Sequence, residues 1–298
     1  MTALETALAA TAAEVNRTLD ALMPAMTGPE ARVREAMSYG TLNGGKRLRP
    51  FLVLTSADLF GVPRSRALRV AAALEYVHCY SLVHDDLPAM DDDDLRRGKP
   101  TTHIQFDEAT AILAGDGLLT LAFEILAAPE THDVAQVRTE LVLSLARAAG
   151  MEGMVGGQMF DLQAEALKTG SLDLDAITRL QSMKTGALFR FACESGAILG
   201  QAPETARKAL RNYARDMGLA FQIADDLLDA EGTEEQVGKK VGKDAAAGKA
   251  TFVSILGTDG ARQKAREISD LAVKHLDSFG KRGDLLAQVA RFVVDRRT

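Results

Sequence analysis

Helical periodicity runs through almost the whole chain and restricts its fold more than any other feature. Near the N-terminus, apolar residues recur at steps of three and four or their sums, as on one stripe of an amphipathic helix. They are Leu4, Leu8, Val15, Leu19 and Leu22. The pattern continues in segments rich in Ala, Leu, Arg and Glu, which favour helix: 45–60, 65–88, 107–128, 132–150, 173–200, 204–230 and 262–297. Alternating apolar and polar runs are scarce, so the sequence predicts an all-α fold, a large helical bundle.

Composition narrows the organisation and the setting of the protein. No repeat of fixed period and no Pro- or Ser-rich linker divides the 298 residues, so we expect a single all-helical domain over residues 1–298. The net charge of −6 argues against a general nucleic-acid binder. Cys79 and Cys193 lie far apart and form no CxxC pair, which favours a reducing cytoplasm. No signal peptide is recognisable and no stretch approaches the roughly 20 apolar residues that span a bilayer, so we expect a soluble protein without membrane insertion.

Two clusters of aspartate are the strongest chemical signal. The first lies in HDDLPAMDDDDLRRGKP and the second in FQIADDLLDAEG. Their members are Asp85, Asp86, Asp91, Asp92, Asp93 and Asp94, and then Asp225, Asp226 and Asp229. So much like charge repels itself unless a cation lies between the carboxylates. Mg²⁺ is usually held by one or two carboxylates together with substrate phosphates. The sequence therefore predicts a Mg²⁺–diphosphate site built from two distant parts of the chain.

The spacing of the second cluster fits a two-carboxylate clamp. Each helical residue turns about 100°, so Asp225 and Asp229 lie about 40° apart on one face. Asp226 points aside, and Gln222 sits one turn before it. A solvated acidic helix face is the simpler alternative for such a motif.

The first cluster requires a bend. Six helical steps would rotate Asp91 about 240° from Asp85, away from a shared face. Pro88 disfavours an undisturbed helix through Leu87. We therefore expect the helix to end or loosen near Pro88, so that Asp91 returns toward Asp85. A charged loop at a helix end is the simpler alternative.

Other metal sites fit less well. The alternation of a calcium-binding hand is missing. A di-iron bundle needs two ExxH pairs, and we find one, formed by Glu75 and His78. His78 is better explained as a ligand or as a hydrogen-bond donor to phosphate. A buried histidine that only packs in the core is the alternative.

Basic residues indicate where phosphates would bind. GGKRLRP, residues 44–50, combines glycines with Lys46 and Arg49, which lie three residues apart at a predicted helix start, and this suits an anion. Lys184 lies in an otherwise apolar helix and needs an anion unless it reaches solvent. The segment 232–251, with its four glycines and four lysines, fits a solvated connector or a phosphate-closing lid equally well. The basic candidates are Lys46, Arg49, Arg96, Arg97, Lys184, Lys239 and Lys249. Their number favours two separate diphosphates.

Five motifs, in this order, resemble the trans-type isoprenyl diphosphate synthases over about residues 30–297, and most closely their bacterial fifteen-carbon group. They are GGKRLRP, HDDLPAMDDDDLRRGKPTTH, GGQMFDL, KTGALFR and FQIADDLLD. The resemblance implies an all-α bundle around a deep central cavity, usually in a homodimer. It also implies a head-to-tail condensation of isopentenyl diphosphate with dimethylallyl or geranyl diphosphate to give farnesyl diphosphate.

The resemblance also implies roles for individual residues. About three Mg²⁺ on the allylic diphosphate would be held by Asp85, Asp91 and Asp225, with Asp86 and Asp229 as further candidate ligands. The same substrate would contact Arg96, Lys184, Thr185, Gln222, Lys239 and Lys249, and Lys184 is counted among the catalytic candidates. Isopentenyl diphosphate would be bound by Gly45, Lys46, Arg49, His78 and Arg97.

Product length depends on sterics below the first motif. Ser81 lies one turn below Asp85, and Tyr80 is rotated by about 140° but is large enough to reach inward. In the family, an aromatic residue here helps form a floor that stops growth near fifteen carbons, although plain core packing would also explain Tyr80. Geranyl and geranylgeranyl diphosphate stay open as products. One departure follows the lid lysine, where the family often reads close to ST-Y-P and this chain has residues 250–253, ATFV.

Two rival functions remain. A terpene cyclase also ionises prenyl diphosphates through an Asp-rich motif, but it does not need the second diphosphate site that GGKRLRP and Arg97 suggest. A non-catalytic partner subunit that binds prenyl diphosphates is disfavoured, because both aspartate motifs are intact.

Overall fold

The computed structural model describes residues 2–166, 172–231 and 251–295. The chain divides into two compact units. The first unit comprises residues 1–54 and 62–142, and the second comprises residues 55–61 and 143–298. The predicted all-α class is confirmed, since the described residues are overwhelmingly helical. The single domain over residues 1–298 stays a prediction.

The first unit is built from helices and one short hairpin. In chain order, the elements up to residue 149 are α1 (Ala3–Leu22), α2 (Ala31–Leu42), α3 (Leu48–Asp58), α4 (Arg64–Asp85), β1 (Leu95–Arg96), β2 (Lys99–Pro100), α5 (Thr102–Gln105), α6 (Glu108–Ala127) and α7 (Ala135–Ala149). Residues 55–58 of α3 and 143–149 of α7 belong to the second unit. Helix α1 begins with a capping box in which Thr2 and Glu5 bond each other's backbone N–H.

Helix α4 is the core of the first unit. Its residues 70–77 are all buried, and it contacts α1, α2 and α6. Near its C-terminal end, His84 packs against Gly115 of α6, where an added Cβ would lie 2.0 Å from the imidazole Nε2. The same nitrogen lies 3.0 Å from the carbonyl of Ile112. Glycine at position 115 therefore lets α6 approach the end of α4, next to Asp85.

The hairpin between α4 and α5 was not expected from the sequence. Arg96 pairs with Lys99 across a two-residue turn, Arg97–Gly98. Both turn residues have positive φ, 54° and 74°, as the type I′ turns of tight hairpins require. Tyr39 donates a hydrogen bond to the carbonyl of Pro100 at 2.7 Å and fastens the hairpin to α2.

The second unit continues with helices after residue 149. They are α8 (Met154–Ala166), α9 (Leu174–Gln181), a π-helical turn (Ser182–Gly186), α10 (Ala187–Leu199), α11 (Glu204–Glu231), α12 (Phe252–Lys274), a 3₁₀ helix (Asp277–Gly283) and α13 (Asp284–Asp295). The longest of these, α11, packs against α10, α12, α13 and the π-helical turn. A buried apolar cluster of α9, α11 and α12 includes Ile177, Ile223 and Phe252.

The segments predicted from periodicity are mostly confirmed, with three differences. Helices α2, α5 and α8 were not predicted. Helix α12 begins at Phe252 rather than at 262. The single helix predicted over 262–297 is wrong, because a 3₁₀ stretch separates α12 from α13, and Gly280 within it has a φ of 53° that ends helical geometry.

The expectation that no segment approaches membrane-spanning length is wrong for α6. Glu108–Ala127 is long and apolar enough by length and composition alone. Half of its most apolar window is buried, and the helix packs against α4 and α2. Such burial is typical of a core helix.

Candidate active site

The end of α4 bends as the proline predicted. The helix ends at Asp85, and the backbone N–H of Asp91 donates to the Asp85 carbonyl at 2.8 Å. Asp92 then takes a left-handed φ of 51°, which Asp and Asn tolerate best among residues other than glycine. The expectation that Asp91 returns toward Asp85 is therefore confirmed at the level of the backbone.

Asp86 is committed to Arg96. Its buried carboxylate accepts bonds from Arg96 Nε at 2.8 and 2.9 Å and from Nη2 at 2.5 Å. Burial raises the pKa of Asp86, and the hydrogen bonds from Arg96 oppose that rise. Because both oxygens of Asp86 accept from the guanidinium, Asp86 fixes the orientation of Arg96. Its role as a metal ligand stays a prediction.

The hairpin brings Arg97 to the glycine loop of GGKRLRP. Arg97 Nη1 donates to the carbonyl of Gly44, and Lys99 Nζ donates to Asn43 Oδ1 at 2.8 Å. Gly45 has a φ of 120°, and a Cβ there would lie 2.7 Å from Arg97 Nη1. Only glycine therefore allows the guanidinium this close to the loop, so two motifs separated by about 50 residues form one basic surface.

His78 lies beside Arg49 in the same unit. Arg49 Nη1 is 3.4 Å from His78 Nε2, and because arginine can only donate, Nε2 accepts and the hydrogen sits on Nδ1. Burial, followed by the charges of Arg49 and Arg97, holds the pKa of His78 well below its usual range. His78 is therefore a neutral hydrogen-bonding group at neutral pH.

Glu75 is held by Arg47, a residue whose role the sequence did not indicate. Arg47 Nη1 lies 2.6 Å from Glu75 Oε1, and both side chains are almost fully buried. Glu75 is thus a counter-ion, and the ExxH of Glu75 and His78 is no metal pair in this geometry. Nothing in GGKRLRP distinguishes the inward Arg47 from the cations beside it.

The two proposed floor residues lie on α4, as expected. Tyr80 is buried, and its ring meets His84 edge to face at a centroid distance of 5.8 Å. Burial, followed by the charge of Asp85, raises the pKa of Tyr80 to about 12. The Ser81 hydroxyl donates to the carbonyl of His78 at 2.9 Å. These contacts fix both side chains, but their role in product length stays a prediction.

In the second unit, Lys184 has its anion within the protein. It lies in the π-helical turn, a local distortion common at functional sites, and its Nζ is 2.5 Å from Asp161 Oδ2. Gly157 lies one turn before Asp161 on α8 and lets that helix touch the backbone of Lys184. A Cβ at position 157 would lie 2.3 Å from the backbone nitrogen of Lys184. GGQMFDL therefore supplies a close approach and a counter-ion at positions four residues apart. That spacing was a signal for Asp161 that the sequence reasoning did not use.

A chain of hydrogen bonds follows from Thr185. Its hydroxyl donates to Gln222 Oε1 at 3.2 Å, and Gln222 Nε2 donates to Asp226 Oδ1 at 3.1 Å. The other oxygen of Asp226 accepts the backbone N–H of Phe252 at 2.9 Å. Asp226 thus turns aside from the clamp, as predicted, and holds the first residue of α12.

Asp225 and Asp229 are half-buried and lie within the continuous α11, which confirms their helical spacing. Of the departure at 250–253, residues 251–253 lie at the start of α12, where Thr251 caps the helix through Ser254 and Phe252 is buried. Lys239, Lys249 and the lid interpretation of 232–251 lie outside the described residues, apart from Thr251.

The carboxylates suit Mg²⁺ only together with a phosphate. Within residues 2–166, 172–231 and 251–295, no group of three or more His, Cys, Asp or Glu side chains is arranged to hold a metal. Mg²⁺ commonly takes one or two carboxylates and completes its shell with phosphate oxygens and water. Asp85 and Asp91, joined through the backbone at the bend, match that limited donor set.

Comparisons with known proteins agree with this chemistry. The polyprenyl synthetase profile matches residues 30–285. The chain is 44% identical over 288 residues to a farnesyl diphosphate synthase of Escherichia coli, covering 95% of each chain. It is 40% identical over 265 residues to geranylgeranyl pyrophosphate synthase 4 of Arabidopsis thaliana, covering 89% of this chain and 70% of the relative.

A solved structure is similar throughout. The apo crystal structure of an FPP/GFPP synthase from Zymomonas mobilis has a TM-score of 0.89 and 49% sequence identity, covering 98% of each chain. This chain therefore belongs to the polyprenyl synthetase family. It is an enzyme of the prenyltransferase class in isoprenoid biosynthesis.

Removing one carboxylate at the bend tests the first motif. We expect Asp85→Asn to lower kcat by at least about 10²-fold, the scale for losing a preorganised charge at a reacting centre. Asp225→Asn should lower kcat similarly. Steady-state kinetics with circular dichroism would measure activity and folding together.

Asp92→Asn is the matched control, because it removes the same charge from an exposed residue whose left-handed backbone Asn also tolerates. It should retain a rate close to that of the unchanged protein. Near-normal rates in the Asp85 and Asp225 variants would remove the metal-clamp mechanism.

Proposed function

We propose that this protein is a farnesyl diphosphate synthase. It condenses isopentenyl diphosphate head to tail with dimethylallyl and then geranyl diphosphate, and it releases (2E,6E)-farnesyl diphosphate. The observation that carries the proposal is a basic surface in the first unit, where Arg97 touches the glycine loop and Arg49 touches His78. A cyclase of one prenyl diphosphate has no use for such a second anion site.

The two diphosphates have different partners in this proposal. Isopentenyl diphosphate is bound by Gly45, Lys46, Arg49, His78 and Arg97. The allylic diphosphate contacts Arg96, Lys184, Thr185 and Gln222, the residues that the family resemblance implies. Lys239 and Lys249 are further candidates from the sequence.

Mg²⁺ is the proposed metal. Its candidate ligands are Asp85, Asp91, Asp225 and Asp229, with Asp86 as a further candidate. When bound, Mg²⁺ neutralises the charge that develops on the leaving diphosphate. About three ions for each active site is the number that the family resemblance implies.

The protein's own cations promote ionisation of the allylic substrate. Arg96, oriented by Asp86, and Lys184, placed by Asp161, stabilise the diphosphate as the allylic C–O bond breaks. The bond's electron pair leaves with the diphosphate, and an allylic cation remains. The double bond of isopentenyl diphosphate attacks that cation and forms the new C–C bond. A proton is then lost to the departed diphosphate, which restores a double bond, and apolar surroundings keep water from the cation.

We further propose a homodimer in the cytoplasm without membrane insertion. Ile112 and Leu113 are neighbouring exposed apolar residues on α6, and clustered apolar exposure favours association. Both cysteines are buried and unpaired, which fits a reducing compartment.

Sedimentation tests the dimer. We expect a particle of twice the chain mass of 31.9 kDa, because α6 gains a cover for its apolar side chains on association. Ile112→Glu with Leu113→Glu should shift the mass toward the single chain. A particle of 31.9 kDa for the unchanged protein would contradict the proposal.

Product analysis tests the reaction. The purified protein is incubated with isopentenyl diphosphate, dimethylallyl diphosphate and Mg²⁺, and the products are sized after dephosphorylation. We expect a C15 alcohol, loss of turnover with excess chelator, and recovery when Mg²⁺ is restored, because the aspartates need a cation to hold diphosphate.

Other products would redirect the assignment. A cyclic hydrocarbon would indicate a cyclase, and binding without turnover would indicate a non-catalytic partner subunit. Longer chains are a specific second possibility, because relatives include a geranylgeranyl pyrophosphate synthase and an FPP/GFPP synthase. A C10 product would indicate geranyl diphosphate release.

Tyr80 is the test of chain length. Tyr80→Ala should give products longer than C15, because losing a buried ring opens space one turn below the aspartates. Tyr80→Phe is the matched control, since it keeps the ring and should keep the C15 product. Unchanged C15 output from Tyr80→Ala would place the floor at other residues.

A further inference from the structure

Arg47 lies between two proposed contacts of isopentenyl diphosphate but turns away from them. Lys46 is exposed and Arg49 is half-buried, whereas the Arg47 side chain has no exposed surface. Its φ is 52°, a left-handed conformation that is uncommon for residues other than glycine and asparagine. Gly44 and Gly45 before it also have positive φ, 93° and 120°. The loop therefore has an unusual backbone path that other contacts must hold.

Three elements supply those contacts through the guanidinium of Arg47. Nη1 donates to Glu75 of α4 at 2.6 Å, and Nη2 donates to the carbonyl of Thr41 in α2 at 2.6 Å. Nε donates to Asn16 Oδ1 of α1 at 2.9 Å. Each nitrogen is thus used, and the fork geometry of arginine is needed to reach all three acceptors.

Glu75 connects Arg47 to the basic surface formed by the other cations of the first unit. It lies one helical turn before His78 on α4, and His78 is the neighbour of Arg49. Burial lowers the pKa of Arg97 and raises the pKa of the Cys79 thiol. The negative charge of Glu75 opposes the first shift and adds to the second. A buried carboxylate here offsets the repulsion among cations that would otherwise oppose a preformed diphosphate site.

We propose that Arg47 and Glu75 form a positioning pair that holds the glycine loop in the conformation that binds isopentenyl diphosphate. The pair does not touch the substrate. It fixes the backbone from which Lys46 and Arg49 extend, and the path of Gly44 and Gly45 against Arg97. The proposal rests on the proposed function for the identity of the anion.

The test separates the two substrates kinetically. Glu75→Gln removes the charge with little change in shape, and Arg47→Lys keeps the charge but loses the fork. Both should raise the KM for isopentenyl diphosphate by at least about tenfold, the lower end of the effect of removing a group that positions a metal-ligating side chain, which is a comparable positioning role. The KM for geranyl diphosphate should stay within about twofold. General loss of structure would instead raise the KM values of both substrates.

Tyr76→Phe is the structural control. The Tyr76 hydroxyl donates to the Leu19 carbonyl at 2.5 Å, so this variant also removes a buried contact between α4 and α1. It should lower the melting temperature without changing either KM. If Glu75→Gln and Arg47→Lys behave in the same way, or raise both KM values equally, the positioning role is overturned.

Two further measurements keep the outcome decisive. Asn16→Ala removes only the acceptor of Arg47 Nε. It therefore tests the role of Arg47 if Glu75→Gln and Arg47→Lys fail to fold. It should raise the KM for isopentenyl diphosphate by a smaller factor, and an unchanged value would contradict the proposal. Backbone hydrogen exchange of residues 43–49 should become faster in Glu75→Gln, Arg47→Lys and Asn16→Ala. Unchanged exchange would overturn the proposal, and this measurement does not depend on which reaction the protein catalyses. Failure of the proposed function would instead appear as no turnover by the unchanged protein.

Discussion

Pairing of charges within the protein is the interaction on which the site depends. The functional motifs contain many carboxylates and cations, and a buried charge without a partner is costly. Arg96 is paired with Asp86, Arg47 with Glu75 and Lys184 with Asp161, each at 2.5 or 2.6 Å. These pairs orient the cations without any ligand, which is the preorganisation that the proposed reaction requires.

Close backbone approach is the second requirement. Gly45 admits the Arg97 guanidinium, Gly115 admits His84, and Gly157 admits the backbone of Lys184. In each case a Cβ would lie at 2.7 Å or less from an atom of the partner. The glycines therefore work as contact points that bring a charged or imidazole residue to its place, rather than as flexible links.

Sequence reasoning found most helices, and the bend after the first aspartates, for identifiable reasons. Strong periodicity revealed the long helices, and Pro88 revealed the bend between Asp85 and Asp91. Helix α2 was missed because its buried face is made largely of small or polar residues, such as Ala36 and Thr41. Helix α8 was missed because Val155 and Met159 are exposed and two glycines interrupt its pattern.

The sequence by itself determined the all-α class, the metal-suited aspartates and the family, because periodicity, residue chemistry and motif order are local properties that survive without coordinates. The tertiary structure decided which charges pair. Arg47 turns inward to Glu75 while Lys46 stays exposed, although the two are adjacent in the chain. Asp226 holds the start of α12, while Asp225 and Asp229 lie half-buried on α11. Such choices depend on contacts between residues far apart in sequence and on the desolvation that burial imposes, and neither can be read from spacing along the chain.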